Sequence, residues 1–106
     1  MKAVVMRDKQ LQVDSLANPE PGQGEVLVKT LACGICGSDL HMFHHCEHVL
    51  ANFKRGNIPI AFDDRQDVVF GHEYCAEILD HGPGSERKLK VGTRVCSLPF
   101  VITPQQ

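Results

Sequence analysis

The stretch that decides the reading is Ala32-Cys33-Gly34-Ile35-Cys36-Gly37-Ser38-Asp39-Leu40-His41, followed about thirty residues later by Gly71-His72-Glu73. The first run gathers thiols, a hydroxyl, a carboxylate and an imidazole. The second adds an imidazole and another carboxylate. Thiolate sulfur and imidazole nitrogen are zinc donors, so Cys36 and His72 are candidate ligands, with Glu73 beside them. A helix starting next to Cys36 favours the thiolate that a metal needs. Asp39 or Glu73 can accept the other ring N–H of His72 and fix its tautomer. Ser38 and His41 are three residues apart, so on a short helix they share a face. They offer a hydroxyl and then an imidazole to a proton leaving an alcohol.

Working outward, residues 25–32 are rich in β-branched side chains and read as the best strand, which delivers the chain directly to Cys33. Residues 2–6 read as a short strand. Residues 11–16 alternate apolar and polar, the pattern of a half-buried strand. Residues 18–24 form a loop, because two prolines and two glycines block both helix and ladder. Ser38 is expected to cap a short helix running to about Phe43. Residues 48–55 are expected to form a second helix stopped by Gly56. Residues 58–62 are apolar but broken by proline, and residues 63–67 read as a solvated charged loop. Residues 74–80 and 91–98 read as strands, with a turn over 81–85. Cys75 and Cys96 fall inside those strands and are expected to be core thiols. Phe43, Phe53, Phe62 and Phe70 are expected to pack. Many short strands, Gly/Pro turns and one or two short helices predict a mainly β, partly open barrel-like domain.

A chain of 106 residues suits one domain. Eleven Lys and Arg against thirteen Asp and Glu give a formal charge of −2, which makes no electrostatic case for nucleic acid. Only four apolar residues separate Lys2 from Arg7. A secretory signal needs roughly 7–15, and a membrane helix about 20. The expected location is therefore cytoplasmic, with no membrane partner. Five cysteines, an odd number without an export signal, argue for reduced thiols, metal ligands or redox chemistry over a disulfide framework.

The two motifs, in this order, resemble the zinc-dependent medium-chain alcohol dehydrogenases, including the sorbitol and threonine dehydrogenase branches. The resemblance runs from Lys2-Ala3-Val4-Val5 through Pro21-Gly22-Gln23-Gly24-Glu25-Val26-Leu27-Val28-Lys29 to Val91-Gly92-Thr93-Arg94-Val95, sparing the middle insert. It implies a GroES-like catalytic domain over residues 1–106. By position, Cys36 and His72 would be zinc ligands, and Glu73 a transient ligand or neighbour of the metal. Ser38 and His41 would be the catalytic pair, Ser38 taking the substrate hydroxyl proton and His41 passing it outward. Asp39 would orient His72. The reaction implied interconverts an alcohol and an aldehyde or ketone, with zinc and with NAD or NADP. The partner is a small-molecule alcohol or carbonyl substrate, and the full-length enzyme is expected to be a homo-oligomer.

No Gly-x-Gly-x-x-Gly unit appears, so the family's Rossmann cofactor domain is absent from this sequence. Gly82-Pro83-Gly84 is a poor phosphate cradle because of its proline. The family's remaining zinc ligand and its structural-zinc cysteines would lie beyond Gln106. The chain therefore reads as a fragment, expected to be inactive alone. Two other classes compete. Cys33-Gly34-Ile35-Cys36 would suit a small cytosolic thiol–disulfide redox protein, although the βαβ pattern of that fold is missing. The same β scaffold would also suit a non-catalytic metal-binding or interaction domain. Finally, His41, His44, His45, Cys46 and His48 offer a second candidate metal cluster, in which His41 with His45, and His44 with His48, fall at i, i+4. The order is not His-Glu-x-x-His, and the stretch reads as a polar, variable insert that shapes the substrate pocket.

Overall fold

The computed structural model describes residues 1–58 and 65–99. Strands β1 (Lys2–Arg7) and β2 (Gln10–Ser15) form an antiparallel hairpin, in register from Lys2↔Ser15 to Arg7↔Gln10. Its two-residue turn, Asp8-Lys9, has φ of 52° and 61°. Positive φ at both positions matches the right-handed twist of the strands. β4 (Val68–Val69) adds to the other edge of β1, pairing Val5↔Val69 and Met6↔Val68. The second sheet holds β3 (Val26–Cys33), β5 (Tyr74–His81) and β6 (Arg94–Val95), in the order β3-β5-β6 and again antiparallel. Among the described residues the chain is mainly β with two short helices, as expected, and its sheets stay open rather than closing into a barrel. Every strand pair is antiparallel, so the described residues contain no βαβ unit of the kind the thiol-redox reading requires.

The buried core of the described residues is small. Val5, Met6, Ala76 and Ile78 come from the two central strands, and Cys46 from a helix. Helix α1 (Gly37–His44) half-buries Met42 and Phe43. Helix α2 (Cys46–Arg55) turns one face inward, with Cys46 buried and Val49, Leu50 and Phe53 half-buried, the spacing of a 3.6-residue repeat. Gly56 caps α2 as expected, donating its N–H to Asn52 O.

Four expectations are corrected. α1 begins at Gly37 with Cys36 as its cap, so Ser38 is inside the helix. Cys75 and Cys96 are exposed, not core thiols. Cys75 faces outward on β5 while its neighbour Ala76 fills the core, and Cys96 lies just past the short β6. β6 keeps only Arg94–Val95 of the strand expected over 91–98, because its ladder with β5 spans only two pairs. Leu11 and Val13 lie 40% and 72% exposed, because β2 is an edge strand. Residues 59–62 of the proline-broken segment, Phe62 among them, lie outside the described residues. Asp67, from the expected charged loop, accepts Arg7 Nε at 2.8 Å and Nη2 at 2.6 Å. Arg7 also reaches Asp14 at 2.9 Å, tying β1 to both its flanks.

The end of β5 is clamped to the loop before β3. Gly82 N–H donates to Glu25 O at 2.8 Å, and Gly24 N–H to Pro83 O at 2.7 Å. A Cβ on Gly82 would stand 2.1 Å from Gly22 O and 3.0 Å from Glu25 O, so only glycine lets these backbones close. Gly82-Pro83-Gly84 is thus a structural turn.

Candidate metal centre

The last pair of the β3–β5 ladder is Cys33↔Tyr74, and Gly34 N–H extends it by donating to Glu73 O at 2.8 Å. Cys36 follows this end of β3 closely, and His72 precedes β5 closely. Antiparallel pairing therefore hangs both motifs from the same end of the sheet. Cys36, His72 and Glu73 each present a ligand atom, all within 4.8 Å of one another. Cys36 and His72 are half-buried, and Glu73 is exposed.

Asp39 joins the two motifs. One carboxylate oxygen accepts the Cys36 backbone N–H at 3.1 Å, and the other faces His72 Nδ1 at 3.2 Å. The first contact is half of a capping arrangement at the start of α1. The second favours a proton on Nδ1, which would leave the Nε2 lone pair on the side away from Asp39. Of the two carboxylates that the sequence leaves open for this task, Asp39 is the one that meets the ring. Ser38 Oγ lies 3.3 Å from both Cys36 Sγ and His72 Nε2. Thiol, hydroxyl and imidazole thus share one small space, on the side of His72 opposite Asp39.

His41 is exposed, and no hydrogen bond joins it to Ser38; its ring lies instead beside that of His45, tilted by 47° with centroids 5.0 Å apart. Cys33 is exposed, and its Sγ lies against Gly71, which has φ of 110° and on which a Cβ would stand 2.8 Å from that sulfur. That contact escapes sequence reading. The capping role of Asp39 escapes it too, since the sequence reading puts the cap at Ser38.

The residues fit a zinc ion by donor chemistry. A sulfur, a nitrogen and a carboxylate oxygen are all zinc donors, and three protein ligands with one open position is the catalytic pattern. Ligand atoms on one tetrahedral ion lie about 3.3–3.8 Å apart, so a span of 4.8 Å needs about 1 Å of closure.

Comparison with known proteins follows the same line. The chain is 36% identical over 102 residues to sorbitol dehydrogenase of Bacillus subtilis, covering 95% of this chain and 26% of that protein. It is 40% identical over 74 residues to L-threonine 3-dehydrogenase of Thermococcus kodakarensis, covering 70% of this chain and 18% of that one. Among solved structures, Haloferax mediterranei glucose dehydrogenase in complex with NADP, Zn and gluconolactone superposes with a TM-score of 0.61, at 25% identity over 89% of this chain and 23% of that one. The chain thus spans about a quarter or less of the length of these relatives. The family model of the alcohol dehydrogenase GroES-like domain matches residues 22–105, and the chain belongs to that family.

Proposed function

We propose that residues 1–106 are the metal- and substrate-handling domain of a zinc-dependent oxidoreductase that interconverts an alcohol and an aldehyde or ketone with NAD or NADP. In this reading the Rossmann cofactor domain lies outside these residues, and the isolated chain does not turn over. The observation that carries it is the Asp39 carboxylate shared between the Cys36 backbone and the His72 ring, with the Ser38 hydroxyl between thiol and imidazole.

Cys36, His72 and Glu73 would hold the zinc. When bound, zinc supplies Lewis acidity toward a substrate oxygen, and the nicotinamide supplies hydride chemistry. The residues of the chain do the rest. Asp39 keeps the proton of His72 on Nδ1, so that Nε2 stays a donor. The same carboxylate anchors Cys36 at the start of α1. Ser38 Oγ, 3.3 Å from Cys36 Sγ and His72 Nε2, would take a substrate hydroxyl proton as it gives up its own. No hydrogen bond joins Ser38 to His41, so water would carry that proton between them, and His41, exposed on the same helix, would release it to solvent. The partner is a small alcohol or carbonyl compound. Neither nucleic acid nor membrane is a partner, in keeping with a formal charge of −2 and with no helix of the described residues long and apolar enough to cross a membrane. The full-length enzyme is a cytoplasmic homo-oligomer.

Zinc titration of the chain tests the centre. One tightly held zinc per chain is expected at this centre, with cobalt substitution giving a thiolate-to-metal absorption band. Cys36→Ser should abolish the band, and His72→Ala should weaken binding. Zinc uptake indifferent to both substitutions would overturn the proposal.

A further inference from the structure

We propose that His41 and His45 form a second metal-binding site, separate from Cys36, His72 and Glu73, for an exogenous divalent ion of borderline softness such as nickel(II), copper(II) or zinc(II). Imidazole nitrogen suits all three ions. The two ring centroids lie 5.0 Å apart, with the planes tilted by 47°. A metal–imidazole bond is about 2.0–2.1 Å, and a ring nitrogen lies about 1.1 Å from the ring centre; two imidazoles on one ion therefore have centroids about 4.5 Å apart at a right angle and about 5.2 Å apart at the tetrahedral angle. The observed spacing falls between these limits.

The backbone holds the pair in place. His45 N–H donates to His41 O at 2.8 Å and closes the last turn of α1, so the two residues stand one turn apart. Both are exposed, which leaves water free to fill the remaining coordination positions. His44 is the natural control. Its ring lies 6.4 Å from that of His45 and 5.0 Å from that of Phe43. Occupation of the pair would withdraw His41 from the proton path. That consequence rests on the proposed function, whereas binding at the pair does not.

The test is a nickel(II) titration of the zinc-loaded chain, read from the proton–nitrogen correlation signals of the histidine rings. Nickel(II) is the probe because copper(II) would oxidise the exposed thiols. The His41 and His45 signals should broaden together, before those of His44, His48 and His81. With the effective concentration of the second imidazole removed, His45→Gln should weaken binding roughly tenfold or more, while His44→Gln should stay within about twofold. The same result is expected with Cys36→Ser and His72→Ala in place, so failure of the zinc centre and failure of the histidine pair are read separately. Independent broadening of the two rings, or equal losses with His44→Gln and His45→Gln, would overturn the site.

Discussion

Gly71→Ala probes how the backbone presents His72. At φ of 110° an alanine enters a region open essentially to glycine, which costs about 1–3 kcal/mol. Its Cβ would also lie 2.8 Å from Cys33 Sγ. Moving that sulfur off its rotamer adds about 0.5–1.5 kcal/mol. The expected loss is about 2–4 kcal/mol out of a total stability of about 5–15 kcal/mol, so the variant folds but is weakened. Each kcal/mol lowers the melting temperature of a domain of this size by about 4–8 °C.

The two contributions separate by urea unfolding of four proteins: parent, Gly71→Ala, Cys33→Ala and the double variant. Cys33→Ala alone should cost under about 1 kcal/mol, since the residue is exposed. In the double variant the steric part returns and the backbone part stays, leaving a loss of about 1–3 kcal/mol. A Gly71→Ala protein as stable as the parent would refute the strain argument. Full rescue by Cys33→Ala would refute the backbone part and leave only the contact.

Asp39→Asn keeps the shape but offers a single acceptor oxygen to two N–H groups; zinc affinity, measured by competition with a chromophoric chelator, should fall about 10–100-fold, and an unchanged affinity would remove Asp39 from the site. Hydrogen bonds from Arg7 hold the Asp67 and Asp14 carboxyls below the usual carboxylate range. A depressed folded pKa adds stability that is present above the unfolded value, about pH 4, and is lost as pH falls through the folded one. Asp67→Asn should therefore flatten the loss of stability on acidification below about pH 5, seen as a weaker pH dependence of the urea midpoint; parallel curves would contradict this. In thiol alkylation followed by mass spectrometry, Cys75 and Cys96 should react in the native protein, and Cys46, 5% exposed, only on unfolding.

The sequence carries the elements near the site best. The β-branched run of β3 needs no tertiary context to read as a strand, and Gly56 marks the end of α2 by its own chemistry. What escapes is set by packing. Nothing local says that Cys75 faces outward, because its exposure depends on which face of β5 meets the core. The turn Asp8-Lys9 lacks the glycine that usually announces a hairpin, and Lys9 at φ of 61° is supported by an ion pair with Glu47 of α2. Ser38 is a common cap residue, but the chain places Cys36 there, because Asp39 answers the Cys36 N–H from the third helical position. Site residues follow the same division. Their identities are local motifs, whereas the meeting of Asp39 with His72 depends on strand register.

That register explains how a divided motif works as one site. β3 and β5 pair from Val26↔His81 to Cys33↔Tyr74, so the end of one strand and the start of the other are fixed together. Both helices lie on the chain between them, and closing that connection is inexpensive to lengthen, since each doubling of a loop costs only about 0.6 kcal/mol. Insertions around residues 45–67 can therefore vary without displacing Cys36 or His72. A slip of one residue in the β3–β5 ladder is different, because it would exchange the faces of every side chain on β3 and expose the core residues Ala76 and Ile78 to the wrong partners. The ladder already contains two irregularities, between Leu27 and Val28 and between Thr30 and Ala32. Bulges of this kind pin a register by breaking its translational symmetry. The second of them sits immediately before Cys33, where an error in pairing would move Cys36 relative to His72 most directly.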